Sequence, residues 1–158
     1  MGDGQGERVP GDSGACPECG APAVDGLGCW EQLGMLLAWE GDDPELQAEH
    51  FLTVAAYNLQ HPAQFTDAAL AGLRAAFVER LDHGVAVAEL RRRMAGSFEG
   101  QTRVLRKPAE RQPVLRRWPM TIADVYLPER REGAAGRVRA WAAAVRAELD
   151  GPGSQAKI

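Results

Sequence analysis

Three cysteines stand within the stretch CPECGAPAVDGLGC, at Cys16, Cys19 and Cys29, and the 158-residue chain has no others. An odd count leaves at least one thiol outside any disulfide framework. The first two form CPECG. Two intervening residues let both thiolates reach one ion, and Gly20 permits the tight turn beneath it. A redox pair of the thioredoxin type needs a helix N-terminus behind a strand. Here the pair lies between a polar stretch and a Gly-rich loop. The pattern points to metal binding, with Zn2+ as the expected ion, while a redox pair or plain thiols stay open as alternatives. Such a knuckle ties the N-terminal part of the chain to whatever carries the remaining ligands.

Cys29 is close enough to be the third ligand, since nine residues separate it from Cys19. The fourth is expected to be a histidine, His61 or His50. On one helix these two lie about 16 Å apart along the axis, too far to share an ion. Helical side chains lean toward their own N-terminus. In a hairpin of helices 29–40 and 44–61, that lean carries His61 toward the level of Cys29 and carries His50 away. His61 is therefore preferred and His50 kept as the alternative. His50, Val54, Tyr57 and His61 also share one helical stripe. They read either as half-buried polar residues with satisfied hydrogen bonds or as a small pocket lined by Tyr57, with His50 as a general base. His83 suits a helix C-terminus. Trp30, Trp39, Trp118 and Trp141 read as packing residues.

The periodicity is mostly helical. Residues 29–40 place Cys29, Leu33, Leu36 and Leu37 on one face. Asp43 and Pro44 start a helix expected to run to residue 61, ended by Pro62. A third begins at Thr66-Asp67 and reaches Gly84, and a short fourth ends at Gly96-Ser97. Between Ser97 and Met120 the pattern stops. Three prolines interrupt this Arg-rich stretch, which reads as a long loop with short strands at TRVLR and PVLRR. Thr121 and Asp124 resemble a capping box, and residues 131–149 form the last helix, with Val138, Trp141 and Val145 as its stripe. The expected fold is mainly α: an antiparallel helical bundle with an N-terminal zinc knuckle and one long irregular Arg/Pro-rich loop. Residues 15–150 form one domain. Residues 1–14 and 151–158 are polar or Gly-rich and read as disordered tails.

Charge is unevenly spread. Residues 1–50 hold eleven Asp or Glu against one Arg, whereas residues 91–117 hold nine Arg or Lys against two Glu. The two regions are expected to attract one another, docking part of the loop on the acidic half. The alternative is an open anion-binding strip using Arg116 and Arg117. A sequence pI near 5.4 makes nucleic acid an unlikely partner. An anionic ligand or a protein partner remains possible. No apolar run of membrane-spanning length and no signal peptide is read, so the expected compartment is the cytoplasm, where thiols stay reduced.

CPECGA, GCWEQLGMLLAWE, DPELQAEHFLTVAAYNLQHP and WPMTIADV occur in this order. Together they resemble the bacterial family of unknown function DUF5946 over about residues 15–127. The corresponding family pieces read roughly CPGCG, GCW, HQLTVDAYAVQHP and LTVADV. The resemblance implies that Cys16, Cys19, Cys29, His50 and His61 are the positions that carry over. Ala55 departs from the Asp frequent in that family, which weakens a catalytic expectation. The family has no established activity, so the resemblance leaves the reaction open. The expected role is structural zinc binding with three Cys and one His. The alternatives are a zinc-dependent hydrolase with an open metal position and an anion- or nucleic-acid-binding protein using residues 91–117. No HExxH motif supports the hydrolase.

Overall fold

The computed structural model describes residues 14–97 and 103–150. The predicted tails, Gly14 apart, lie outside these residues, as does the first residue of TRVLR. Seven α-helices follow in chain order: α1 (Cys29–Trp39), α2 (Pro44–Ala48), α3 (His50–Leu59), α4 (Asp67–His83), α5 (Val87–Ser97), α6 (Ile122–Val125) and α7 (Ala134–Leu149). Short 3-10 turns at 40–42, 62–64 and 108–110 join them. Among the described residues no helix is long and apolar enough to cross a membrane.

Local sequence sets most of these boundaries. Glu31 reaches back to accept the Gly28 N–H at 2.8 Å at the start of α1. Asp43 accepts the Leu46 N–H at 3.0 Å, with Pro44 in the first turn of α2, which relieves donors that the helix itself leaves unpaired. Thr66 caps α4 and Gly84 ends it at φ +66°, a left-handed conformation costly for any residue with a Cβ. At α6, Thr121 and Asp124 bond reciprocally: the Thr121 N–H donates to Asp124 at 2.9 Å and the Ala123 N–H donates to Thr121 at 3.3 Å.

The core is built around α7. Val138, Trp141, Ala142 and Val145 are wholly buried, and α7 packs against α2, α3, α4 and α6 while α1 packs against α6. Leu36, Leu46 and Phe77 join the same cluster. Each large apolar side chain buried this way contributes roughly 1.5–3 kcal/mol. A polar thread through the core runs by way of Gln60. Its Nε2 donates to the Met120 carbonyl at 2.8 Å and its Oε1 accepts the Trp141 indole N–H at 3.3 Å. It thereby ties α3, α7 and the long loop together, one residue before His61.

Four expectations need correction. The helix expected over 44–61 breaks at Glu49, whose backbone turns to φ −98°, ψ 14°. No Pro or Gly marks this break. Leu46 of α2 is buried in the core, and Glu45 and Glu49 both accept from Arg139 of α7, at 3.1 and 2.8 Å. Tertiary contact with α7 thus decides the path. The strands expected at TRVLR and PVLRR reduce, among the described residues, to one isolated bridge between Leu105 and Phe65, because the prolines leave no continuous donor row. The last helix starts at Ala134, after Gly133 at φ +83°. Finally, the acidic N-terminal half pairs chiefly with the C-terminal segment, Asp42 with Arg131 and Glu45 and Glu49 with Arg139. The loop's own ion pairs run elsewhere, Arg106 to Asp67 and Arg116 to Glu148. One backbone bond, from the Arg116 N–H to the Glu18 carbonyl at 3.0 Å, does join the loop to the knuckle.

Candidate metal centre

The CPECG segment folds as a tight knuckle. The Gly20 N–H donates to the Cys16 carbonyl and the Cys16 N–H to the Ala21 carbonyl, both at 2.9 Å. Gly20 holds φ +81°. This winding aims backbone donors at sulfur: the Glu18 and Cys19 N–H groups point at Cys16 Sγ, and the Ala21 N–H at Cys19 Sγ, each at 3.4 Å. Such donors stabilise negative charge on the sulfurs.

The chain then reverses through a two-residue hairpin. Val24 and Leu27 exchange backbone bonds at 3.0 and 2.9 Å, with Asp25 at φ +54° and Gly26 at φ +79°. Two successive positive φ values define the mirror-image turn that Asp-Gly favours. Gln32, fully buried on α1, donates to the carbonyls of Pro22 and Leu27 at 2.9 Å each. The turn and the glutamine deliver Cys29, the first residue of α1, to the knuckle. Sequence reasoning missed both, although the Asp25-Gly26 pair was a visible turn signal.

His61 arrives from the other side, just beyond α3. Its Nδ1–H donates to the Tyr57 carbonyl at 2.6 Å, which commits Nδ1 as a donor there and turns Nε2 toward the sulfurs. Nε2 lies 3.6 Å from Cys16 Sγ and 3.4 Å from Cys29 Sγ. The ligand atoms of Cys16, Cys19, Cys29 and His61 all lie within 4.8 Å of one another. A tetrahedral ion with ~2.3 Å bonds to sulfur and ~2.0 Å to nitrogen has S···N edges of ~3.5 Å and S···S edges of ~3.8 Å. An ion at the centre would displace the Nε2 proton and take the lone pair directed between the two sulfurs. These four residues could hold a metal ion.

The electrostatics of the metal-free group follow from this crowding. Contacts with Cys19 and Cys29 hold the Cys16 thiol far below its usual range, while contacts with Cys16 and Cys29, and burial, push Cys19 upward. Burial opposes a charge on His61, but its contacts with Cys16 and Cys29 outweigh that and raise the ring to about 10. Burial, and then Cys29, keeps Tyr57 protonated, and its hydroxyl lies 3.3 Å from Cys29 Sγ, where it can donate to a thiolate. The Tyr57 ring stacks on His61 with centroids 4.0 Å apart.

The structure does not bring His50 into this group. Its Nδ1 sits 3.0 Å from both carboxylate oxygens of Glu40, because the break at Glu49 puts it at the far end of α3 from His61. His50 is thus bonded to Glu40 and is not one of the four clustered side chains. Arg116 is engaged within the fold, with Glu148 at 3.4 Å and over the Trp118 ring at 4.1 Å. Arg117 is exposed. Trp39 and Trp141 are buried as expected, but Trp30 is 69% exposed.

A small all-helical bundle whose N-terminal knuckle meets a helix start and a helix end in one Cys3His cluster defines the class. The chain belongs to the family of unknown function DUF5946, which it matches over residues 14–150. No curated protein and no solved structure matches it.

Proposed function

We propose that this is a zinc protein in which Cys16, Cys19, Cys29 and His61 hold one structural Zn2+, and that residues 15–150 act as a single unit built on it. The observation that carries the reading is His61, whose Nδ1–H is committed to Tyr57 while Nε2 faces two thiol sulfurs at 3.6 and 3.4 Å. Three thiolates and one imidazole are a soft, four-coordinate donor set typical of structural zinc. Bound there, the ion supplies cross-linking of three distant chain segments. The protein's own groups set the rest: backbone N–H donors and the Tyr57 hydroxyl carry part of the thiolate charge, and the Nδ1–H bond orients the imidazole. Three thiolates also weaken the ion as a Lewis acid, and His50, held by Glu40, offers no base beside it. Both points favour a structural role over hydrolysis. Reduced thiols in such a set suit a cytoplasmic setting. Metal content of the purified protein, with coordination read by X-ray absorption, tests the proposal. Three sulfurs and one nitrogen are expected; a fixed water oxygen in place of one protein ligand would overturn the structural role.

A further inference from the structure

Beside the cysteine cluster, with His61 among its lining residues, lies an open cavity of about 430 Å³. Its walls are chemically uneven. One is a run of rings: Trp30 against Tyr57 with centroids 6.1 Å apart, and Tyr57 stacked on His61 at 4.0 Å. Arg111 and Pro113 of the long loop also line it. Trp30 occupies the rim and is 69% exposed, the only tryptophan of the described residues so placed. A tryptophan left this wet beside two other rings has no packing role to account for it. Arg111 is similarly underused. Its Nε donates to the Arg106 carbonyl at 3.0 Å, and its terminal nitrogens have no acidic partner among the described residues. Arg106, Arg116, Arg139 and Arg146 each pair with a carboxylate, whereas Arg74, Arg80 and Arg137, like Arg111, bond carbonyls; Arg111 differs from these in lining the cavity.

We infer that this cavity is a binding site for a small planar aromatic compound carrying a carboxylate, its ring against Trp30 and Tyr57 and its carboxylate on the Arg111 guanidinium. The volume falls in the range of small-molecule sites, which combine mainly apolar walls with a few placed polar groups. Aromatic stacking supplies contact area and a planar guanidinium fits a carboxylate with two parallel bonds. Glu18 is the acidic group on the wall. One of its oxygens accepts the Ala63 N–H at 2.7 Å, and Arg111 is the guanidinium that lines the same cavity. The cavity adjoins the metal cluster through the rings of His61 and Tyr57, so the test is run on protein of one known metal content.

The test is calorimetric titration of the full-length protein with three probes of one shape: 2-naphthoate, the neutral 2-naphthylmethanol and the cationic 2-naphthylmethylamine. The naphthoate is expected to bind at least about tenfold more tightly than the neutral probe, the worth of one charge-assisted contact, and the cation weakest. Arg111→Gln should abolish the difference between naphthoate and the alcohol. Trp30→Ala should weaken both by about tenfold. Metal content and circular dichroism of each variant, matched to the parent, separate loss of the site from loss of the fold. Preference for the amine would make Glu18 the determinant and overturn the inference. So would no binding of any probe, equal binding of all three, or unchanged naphthoate affinity in both variants. A short single-stranded oligonucleotide binding more tightly than naphthoate through the same two residues would overturn it in favour of nucleic acid.

Discussion

At the scale of single residues, His61 and His50 are the same side chain eleven positions apart with opposite assignments. His61 has one nitrogen committed to the Tyr57 carbonyl and the other facing sulfur; His50 has its Nδ1 committed to Glu40. His61→Ala should therefore remove a ligand and lower zinc affinity by orders of magnitude, while His50→Ala leaves it unchanged, as read by competition with a chromophoric chelator. Equal loss in both variants would defeat the assignment. Tyr57→Phe removes only the donor to Cys29 and should weaken zinc binding about 10- to 100-fold, the usual effect of an outer partner. Gly20 offers a different kind of test. A Cβ there would make only ordinary contact, with Leu115 at 3.5 Å, but the backbone stands at φ +81°. Gly20→Ala should cost roughly 1 kcal/mol or more through the left-handed conformation alone, seen as a lower melting temperature with the metal stoichiometry retained.

At the scale of elements, α4 is fastened to α7 by Arg146, which donates to both oxygens of Asp82 at 3.1 and 2.7 Å and to Asp150 at 2.7 Å. The bond from Arg146 holds the Asp82 carboxyl below its usual 3.8. A depressed carboxylate contributes stability above the unfolded value and loses it as pH falls through the folded one. Asp82→Asn should accordingly lower the melting temperature slightly at pH 7, with the gap to the parent closing well below pH 3.8; a gap that persists in strong acid would assign the effect to packing. The surface pair stands against a buried one, Gln60. Gln60→Leu strands the Trp141 N–H and the Met120 carbonyl inside the core and should cost about 2 kcal/mol or more, measurable by urea unfolding. The sequence makes the two kinds of feature unequally visible. The α7 stripe of Val138, Trp141 and Val145, the Asp43 and Thr66 caps and the Thr121–Asp124 box rest on local chemistry, and their pattern could be read directly. The break at Glu49 and the role of Gln60 depend on partners far along the chain, and Gln32 depends on the path of the Asp25-Gly26 turn, so nothing in their immediate pattern announces them. The candidate cluster lies between: its four residues could be proposed from spacing and side-chain lean, but the choice of His61 over His50 rested on a continuous helix that does not exist. The choice survives because His61 leaves the end of α3 while the break turns His50 toward Glu40.

At the scale of the whole molecule, the cluster sits at the margin of the core: Cys19 and Ala21 are buried in it, and Cys16 and Cys29 pack against it. The core is centred on α7 and its partners α2, α3, α4 and α6, none of which contributes a cysteine. The knuckle is held to this core by the start of α1, by Gln32, and by the bonds of Glu18 to Ala63 and Arg116. Removing the ion should therefore loosen a defined part before the rest. Hydrogen exchange followed by mass spectrometry on zinc-loaded and chelated protein should show faster exchange in residues 14–30, at the His61–Ala63 turn and in residues 112–117. Protection in α4 and α7 should change little, because their stripes stay buried without the knuckle. Acid should reproduce the same footprint, since protons compete with the ion for three thiolates and an imidazole. The apparent zinc-dependent stabilisation must then fall as pH falls and scale with free zinc. Uniform loss of protection through α7 on chelation would mean that the ion organises the entire fold. No change in residues 14–30 would mean that the four side chains meet without needing an ion, and the structural zinc reading would fail.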